Sequence, residues 1–276
     1  MAIRINENAA KPFLRWAGGK AWFSNQLDTL ITGRDFTDYH EPFLGGGSVF
    51  FSLSVEGGQA YLSDANAELI NTYIAVRDNP ERVIEYIRRY RNTEKFYYSL
   101  RSRTPRDFYE KAAKFIYLNH TCFNGLYRVN KEGKFNVPYG RRRSVGLDYD
   151  VIRNASIALQ NTILTTQDFD QTIEFITPGS LVFLDPPYTV SHNNNGFVEY
   201  NKNIFSLQDQ ERLAQFIQNI NDKGAFYILT NAAHDTIREI FRDCGHSYEV
   251  ERQSLIGGKN ARRGLTSELV FTNIER

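Results

Sequence analysis

The chain has 276 residues, of which 41% are hydrophobic, enough to bury one good core and to carry a smaller appended module. Its 33 Lys and Arg almost balance its 32 Asp and Glu, so net charge gives no reason to expect a nucleic-acid partner. The two cysteines are far apart, the five histidines show no zinc-ligand spacing, and no apolar run is long enough to predict a signal peptide or a membrane span. We therefore expect a cytoplasmic protein of one or two domains, with no disulfide, metal or membrane partner.

The first chemical motif is a Gly-rich turn at residues 41–48, followed by the apolar Val49 to Phe51. The pattern is typical of a strand that bends sharply into a helix under a bound ligand, because a Cβ would block close approach of the backbone. Asp64 follows Gly45 by nineteen residues, where a carboxylate at the end of a second strand could accept hydrogen bonds from ribose hydroxyls. Phe50 replaces the third glycine of a dinucleotide fingerprint, and no Gly-Lys-Ser/Thr follows. A phosphate-free nucleoside such as S-adenosylmethionine fits better; for the turn taken alone, a simple loop is the alternative.

The basic residues are concentrated in the middle of the chain. Residues 75–145 contain 17 Lys and Arg against 7 Asp and Glu, whereas the remainder has 16 against 25. The stretch has helical patterns, as from Pro80 to Tyr90, and then Gly and Pro punctuation. We interpret it as an inserted helical module that meets phosphate, within an α/β domain formed by residues 1–74 and 146–276.

The second chemical motif follows an apolar run, Leu181 to Leu184, that predicts a buried strand. Asp185-Pro186-Pro187-Tyr188 comes directly after it, where open α/β sheets place their active sites. A helix is predicted next, capped by Ser206 with Asp209 as capping-box partner and ended by Gly224. Phe226 to Leu229 then reads as the following strand, which completes a strand-helix-strand unit.

The tetrad suits chemistry on the exocyclic amine of an adenine, whose lone pair is delocalised into the ring. The Asp185 carboxylate and the Pro186 carbonyl can each accept one N6 hydrogen, which favours a pyramidal nitrogen with its lone pair directed at a methyl sulfonium. Tyr188 offers a face on which an extruded base can stack. A rigid turn without chemistry is the alternative, which the preceding Gly-rich turn and Asp64 disfavour.

Four segments in this order resemble the Dam-type family (D12 class, alpha group) of DNA adenine N6-methyltransferases: Trp16 to Lys20, Glu41 to Ser48, Phe123 to Arg128 and Asp185 to Tyr188. The resemblance covers almost the whole length of the chain. The resemblance implies an α/β, Rossmann-like methyltransferase fold with a mixed seven-stranded sheet and an inserted helical target-recognition domain at 75–145. It also implies S-adenosylmethionine as cofactor and double-stranded DNA as partner, and we expect no obligatory protein partner.

The motifs and the resemblance together indicate two sets of residues. The catalytic residues are Asp185, Pro186, Pro187 and Tyr188. The cofactor-binding residues are Trp16, Lys20, Glu41, Phe43, Gly45, Gly47, Asp64, Asp168 and Asp185. For Asp168, a solvated residue that caps a helix is an equal alternative.

Residues 123–128 and 135–140 look like those of family members that methylate the adenine of GATC. Arg128 is expected to contact a guanine edge, Leu126 and Pro138 to meet a thymine methyl, and Phe123 to wedge into the base stack. Arg15 stands where the family tends to have a basic residue that reads the first guanine. The predicted DNA-binding set is Arg15, Phe123, Asn124, Leu126, Arg128, Pro138, Arg141, Arg142 and Arg143.

Several alternatives remain at this point. Phe123 and Leu126 could be core residues and Arg128 a phosphate clamp, and Arg141 to Arg143 are either phosphate contacts or solvated surface. The same chemistry at another short site, as part of a restriction system, is the alternative function. Methylation of N4-cytosine or of protein glutamine is disfavoured, since those resemblances usually bring Ser or Asn before Pro-Pro-Tyr. A catalytically silent DNA-binding module is a further alternative, but it would have no use for Asp185 and the segment Trp16 to Lys20 together.

Overall fold

The computed structural model describes residues 2–6, 9–141, 144–189, 205–253 and 265–275. Within these residues the strands are β1 (Ala2–Ile5), β2 (Tyr39–Glu41), β3 (Leu53–Glu56), β4 (Ala60–Asp64), β5 (Thr162–Thr166), β6 (Leu181–Leu184), β7 (Phe226–Ala232), β8 (His246–Gln253) and β9 (Leu265–Thr272). The α-helices are α1 (Ser24–Ile31), α2 (Ala67–Asp78), α3 (Pro80–Arg88), α4 (Glu94–Ser102), α5 (Phe108–Thr121), α6 (Tyr149–Ala158), α7 (Leu207–Asp222) and α8 (Asp235–Ile240). Short 3₁₀ helices occupy Ala21–Phe23, Phe50–Ser52, Phe123–Gly125 and Phe169–Glu174.

Seven strands form one mixed sheet in the order β5-β4-β2-β6-β7-β9-β8, and β1 pairs separately with β3. The first five strands run parallel, whereas β9 is antiparallel to both β7 and β8. Alternate residues of β6 pack into two different hydrophobic clusters, so both faces of the sheet are covered. The predicted α/β fold with a mixed seven-stranded sheet is confirmed.

The order of the strands reverses between β2 and β6. From β2 the chain continues outward to β4 and β5, and from β6 it continues in the opposite direction to β7. In open α/β sheets, ligands bind in the crevice beyond the carboxyl ends of the strands at such a point. The Gly-rich turn follows β2 and the Asp185 tetrad follows β6, so the sheet brings these two motifs to the same crevice.

The strand-helix-strand unit after the tetrad is confirmed. The Ser206 side chain accepts a hydrogen bond from the Asp209 amide, and the Asp209 side chain accepts one from the Ser206 amide, so α7 begins with the predicted capping box. The apolar face of α7, formed by Leu213, Phe216, Ile217 and Ile220, is buried against β6 and β7. Gly224, with φ +69°, lies just beyond the end of α7.

The prediction of a helix directly after the Gly-rich turn is wrong. The chain forms only the 3₁₀ helix Phe50–Ser52 there and then enters β3. The Phe50 and Phe51 rings are buried in the core, and the Phe50 amide donates to the Glu41 carboxylate at 3.1 Å. The α-helix that follows β2 is α2, which begins only after β4.

The basic middle of the chain, residues 75–145, is largely helical where the structure describes it. Its first boundary falls inside α2, and the apolar faces of α3 and α5 belong to the same core cluster as the sheet. A smaller cluster belongs to this part alone and consists of Tyr97, Leu100, Tyr117, Leu118, Cys122 and Val137. The division of the chain at 75 and 145 stays a prediction.

Within the described residues, no helix is both long and apolar enough to cross a bilayer. The same residues contain no group of three His, Cys, Asp or Glu side chains arranged as metal ligands. Cys122 and Cys244 are free and buried.

Candidate active site

The Gly-rich loop is shaped by Trp16. A Cβ on Gly45 would lie 2.8 Å from the Trp16 indole nitrogen, and one on Gly46 would lie 2.7 Å from the Trp16 Cβ. Gly45 also has φ +47°, in the left-handed region that favours glycine. Glycine was expected here because a ligand approaches the backbone; in the structure it is the tryptophan that does so.

Trp16 also joins this loop to the predicted recognition segment. Its ring stacks on Tyr127 with the centroids 5.4 Å apart and the planes 23° apart. The neighbouring Arg15 donates its amide to Asn119 Oδ1 and accepts from Asn119 Nδ2, at 2.8 and 2.7 Å. The contacts made by Asn119 and Tyr127 were not predicted, although Tyr127 lies within the segment that the sequence singled out.

Asp64, at the carboxyl end of β4, is hydrogen-bonded to the Gly-rich loop. Its Oδ2 accepts from the Gly45 amide at 3.0 Å, and its Oδ1 accepts from the Asn66 amide at 2.9 Å. Burial raises the pKa of the Asp64 carboxyl above its ordinary value, and these two amides oppose the increase. Each oxygen keeps acceptor capacity for a further donor such as a hydroxyl.

Glu41, the last residue of β2, is buried beneath the same loop. Its Oε2 accepts from the Tyr39 hydroxyl at 2.8 Å and from the Phe50 amide at 3.1 Å. Burial raises the pKa of the Glu41 carboxyl to about 8. At neutral pH the folded protein without ligand therefore holds a proton that the unfolded chain has released.

Replacing Glu41 with glutamine should make stability less dependent on pH. The raised pKa means that the folded state binds the extra proton, so wild-type stability falls as pH rises from about 4.5 towards about 8. Glutamine stays neutral at every pH. The free energy of unfolding of the variant should therefore be closest to that of wild type at pH 5 and exceed it increasingly up to pH 8. The gain should reach a few kcal/mol, since each pKa unit corresponds to about 1.4 kcal/mol.

Urea unfolding of the ligand-free protein between pH 5 and pH 8 measures this difference. The matched control is Glu56→Gln on β3, where the side chain is exposed. Parallel stability curves for Glu41→Gln and wild type would contradict the prediction.

Asp185, directly after β6, is held through one oxygen only. Lys20 Nζ lies 2.7 Å and Thr230 Oγ1 lies 2.9 Å from its Oδ1. Among the described residues, neither Asp185 Oδ2 nor the Pro186 carbonyl has a hydrogen-bond partner. Pro187 adds no backbone donor, so the loop presents acceptors.

Lys20 is the centre of a buried polar network. Its side chain is 2% exposed, and Nζ lies 3.0 Å from the Gly18 carbonyl and 3.1 Å from the Tyr188 hydroxyl, in addition to Asp185. The Glu268 carboxylate, from β9, is 3.6 Å away. Thr230 and Glu268 were missed by the sequence reasoning. For Thr230 a signal existed, a polar residue near the end of a strand predicted to adjoin β6, whereas Glu268 is a lone carboxylate beside the apolar run Leu269 to Phe271.

Asp168 and Phe43 lie at a neighbouring part of the crevice. Asp168 is exposed, precedes the 3₁₀ helix Phe169–Glu174, donates its amide to Gln171 Oε1 at 3.0 Å and pairs with Arg212 at 3.2 Å. Phe43 stacks on Phe169 with centroids 5.3 Å apart. Asp168 thus lies at the start of a helix, in agreement with the alternative that it is a solvated capping residue. Its role in cofactor binding stays a prediction.

The structure places Phe123 and Pro138 together at the surface. The Phe123 amide donates to the Pro138 carbonyl at 2.9 Å, and Phe123 is 51% exposed, so it is not a core residue. Asn124, which is exposed, has φ 55°, and Leu126 is partly buried against the small cluster of the module. The role of this surface in target recognition stays a prediction.

The basic residues of the predicted DNA-binding set differ in environment. Arg128 is exposed and donates from Nε to Asn136 Oδ1 at 2.8 Å. Arg141 is 80% exposed and lies 3.7 Å from Glu94. Arg142 and Arg143 lie outside the described residues.

Lys20 links the Gly-rich loop to the Asp-Pro-Pro-Tyr loop at the switch point of the mixed sheet, since its amide donates to Ser48 Oγ and its ammonium group lies beside Asp185. This arrangement resembles that of α/β methyltransferases that act on an amino group. The chain belongs to the D12 class of N6 adenine-specific DNA methyltransferases, whose family model matches residues 16–256. It is therefore an enzyme with a DNA substrate.

Relatives of known activity are similar along most of their length. A type II methyltransferase of Lactococcus lactis subsp. cremoris is 34% identical over 98% of both chains. A type II methyltransferase of Methanocaldococcus jannaschii is 36% identical over 80% of this chain and 84% of its own. A DNA adenine methylase of Haemophilus influenzae is 32% identical over 84% of this chain and 82% of its own.

Proposed function

We propose that the enzyme transfers a methyl group from S-adenosylmethionine to N6 of an adenine flipped out of duplex DNA, within the sequence GATC. The observation that supports this chemistry most directly is the pair of acceptors in the loop 185–188. Asp185 Oδ2 and the Pro186 carbonyl have no hydrogen-bond partner among the described residues, while Asp185 Oδ1 is held by Lys20 and Thr230. Two acceptors match the two hydrogens of an exocyclic amine.

The residues around the Gly-rich loop fit a cofactor that carries positive charge and ribose hydroxyls. The carboxyl groups of Glu41 and Asp64 flank the Gly-rich loop, and Asp185 interacts electrostatically with Glu41. A phosphate would raise the pKa values of these groups further, whereas a sulfonium or ammonium group would lower them and favour the charged carboxylates. S-adenosylmethionine, when bound, supplies an electrophilic methyl group. The residues that would hold it are Trp16, Lys20, Glu41, Phe43, Gly45, Gly47, Asp64, Asp168 and Asp185.

The protein's part in the reaction is to orient the amine and to take its proton. Hydrogen bonds from N6 to Asp185 Oδ2 and to the Pro186 carbonyl direct the nitrogen lone pair out of the plane of the base. The bound donor would supply the methyl group to N6 with loss of its S–C bond, and N6 would then have one proton to release. Burial raises the pKa of the Asp185 carboxyl above its ordinary value, which favours this carboxylate as the proton acceptor.

The recognition surface supports GATC as the target. Phe123, exposed beside Pro138, is available as the wedge, and Arg128 is exposed on the same segment. Arg15 Nη1 is buried without a hydrogen-bond partner among the described residues, so a base edge would reach this unsatisfied donor only after the surface around it rearranges. The arginine guanidinium matches the two acceptors of guanine in the major groove.

A second candidate is methylation of another short site as part of a restriction system. It is favoured by the names of two relatives, which are type II methyltransferases. Single-molecule sequencing of DNA from a methylation-free host that expresses the enzyme separates the candidates. N6-methyladenine at every GATC supports the proposal, and methylation at a different motif would replace GATC with that motif.

Replacing Arg128 with alanine should remove discrimination at one base pair of the site. A bidentate arginine contact to guanine is worth ~1–3 kcal/mol, roughly a factor of 5 to 150 in rate between right and wrong sequences. The measurement is the single-turnover rate at sub-saturating enzyme on GATC and on duplexes altered at one outer base pair. The ratio of these rates should fall towards unity at the pair that Arg128 reads.

The matched control is Arg141→Ala, since this exposed arginine of the same module is predicted to contact phosphate. It should slow all substrates by one common factor. If Arg128→Ala behaves in the same way, Arg128 is a phosphate clamp and another residue reads that base pair.

A further inference from the structure

Glu268 is a buried carboxylate with no place in the motifs of the sequence. It lies on the antiparallel strand β9, opposite Ala232 of β7 and Val250 of β8, and its side chain is 1% exposed. The residues that follow it, Leu269 to Phe271, are also buried. A carboxylate in such a position lowers stability unless it is paired and hydrogen-bonded. The partners of Glu268 therefore indicate its role.

Glu268 is hydrogen-bonded to the tetrad tyrosine. The Tyr188 hydroxyl donates to Glu268 Oε2 at 2.5 Å and accepts from Lys20 Nζ at 3.1 Å. Lys20 Nζ also lies 5.1 Å from the centroid of the Tyr188 ring. The hydroxyl thus donates a hydrogen bond to Glu268 and accepts one from Lys20. These two hydrogen bonds fix the outer end of the Tyr188 ring.

We infer that Glu268 is a positioning residue of the methyl transfer, which holds the Tyr188 ring in place for the target adenine. This inference rests on the proposed function, in which the Tyr188 face supports the flipped base. A ring fixed in advance loses no rotational freedom when the base arrives, so the amine meets Asp185 in a productive geometry. Glu268 acts through Tyr188 and does not itself touch the substrate.

The test is Glu268→Gln, which keeps the size of the side chain and removes the charge. We expect kcat on unmethylated bacterial DNA to fall ~10-fold to ~100-fold, the scale of a misplaced reacting group. The KM for S-adenosylmethionine should stay near that of wild type. The matched control is Glu251→Gln, an exposed carboxylate on the adjacent strand β8, which should leave kcat unchanged.

A double-mutant cycle with Tyr188→Phe separates positioning from a general structural role. If Glu268 acts through the tyrosine hydroxyl, adding Glu268→Gln to Tyr188→Phe should cause little further loss. Multiplied losses, or a Glu268→Gln rate within ~2-fold of wild type, would overturn the inference. Should Glu268→Gln fail to fold, Tyr188→Phe decides alone: a lowered kcat supports the inference and a wild-type kcat overturns it. A wild-type enzyme that methylates no adenine would instead overturn the proposed function, which the same assay reveals.

Discussion

Replacing Asp185 with alanine should lower the single-turnover rate of methyl transfer at least ~100-fold, the scale of losing one positioned electrostatic group. The variant loses the acceptor at Oδ2 that is proposed to orient N6 and to take its proton. The fold should persist, because Lys20 keeps the Gly18 carbonyl, the Tyr188 hydroxyl and the Glu268 carboxylate as partners. Rapid-quench methylation of a duplex substrate measures the rate, and binding of radiolabelled S-adenosylmethionine reports whether the cofactor site survives.

Thr230→Val is the matched control for this prediction. It removes a hydrogen bond from Asp185 Oδ1 at 2.9 Å and leaves Oδ2 in place, so its rate should fall far less than that of Asp185→Ala. An Asp185→Ala rate near that of wild type would remove this residue from the mechanism, and an equally large loss in both variants would show that Oδ1 matters as much as Oδ2.

Replacing Lys20 with methionine should lower the free energy of unfolding by about 3–5 kcal/mol, the cost of breaking a buried ion pair by removing one partner. Methionine keeps the length of the side chain, but the partly buried Asp185 and the fully buried Glu268 are then left without their cation. Methyl transfer should also fall, because Asp185 Oδ1 loses its partner at 2.7 Å. Chemical denaturation at pH 7 measures the stability.

The loss of stability in Lys20→Met should depend on pH in a defined direction. Lys20 lowers the pKa of Asp185 against the larger effect of burial, so its removal raises that pKa further. A carboxyl with a raised pKa in the folded state loses stability as pH rises, and the deficit of Lys20→Met should be smaller at pH 5 than at pH 8. The triple variant that adds Asp185→Asn and Glu268→Gln removes the unpaired charges and should regain much of the loss. A Lys20→Met variant as stable as wild type at pH 8 would contradict the role of Lys20 as the central cation.

The parts of the fold that could be predicted are those fixed by local chemistry. The capping box at Ser206 and Asp209 and the apolar run at 181–184 act within a few residues, and the structure has them where expected. The helix after the Gly-rich turn could not be predicted correctly. Its residues bury their rings in the core instead, which depends on packing partners distant in sequence such as Tyr73, whose ring stacks on Phe51.

The candidate site divides in the same way. Lys20, Asp64 and Asp185 belong to motifs whose spacing is visible in the sequence, and the structure brings Lys20 and Asp185 into direct contact. Glu268 reaches the site only because β9 pairs with β7 in a particular register, 80 residues beyond Tyr188. Trp16 likewise packs on the Gly-rich loop from a different segment of the chain, and no local sequence pattern predicts this contact.

The common core of α3, α5 and the sheet limits how this enzyme can be re-engineered. Because Val83, Ile84 and Ile116 pack in the same cluster as residues of the strands, the stretch 75–145 is not bounded by solvent on the side of the catalytic part. A chimera that exchanged this stretch as a block for that of a relative would cut α2 in its last turns and set foreign side chains against the native core. If the surface from Phe123 to Tyr139 reads the target as proposed, retargeting to a new sequence should instead graft this surface, whose apolar support lies largely in the separate small cluster.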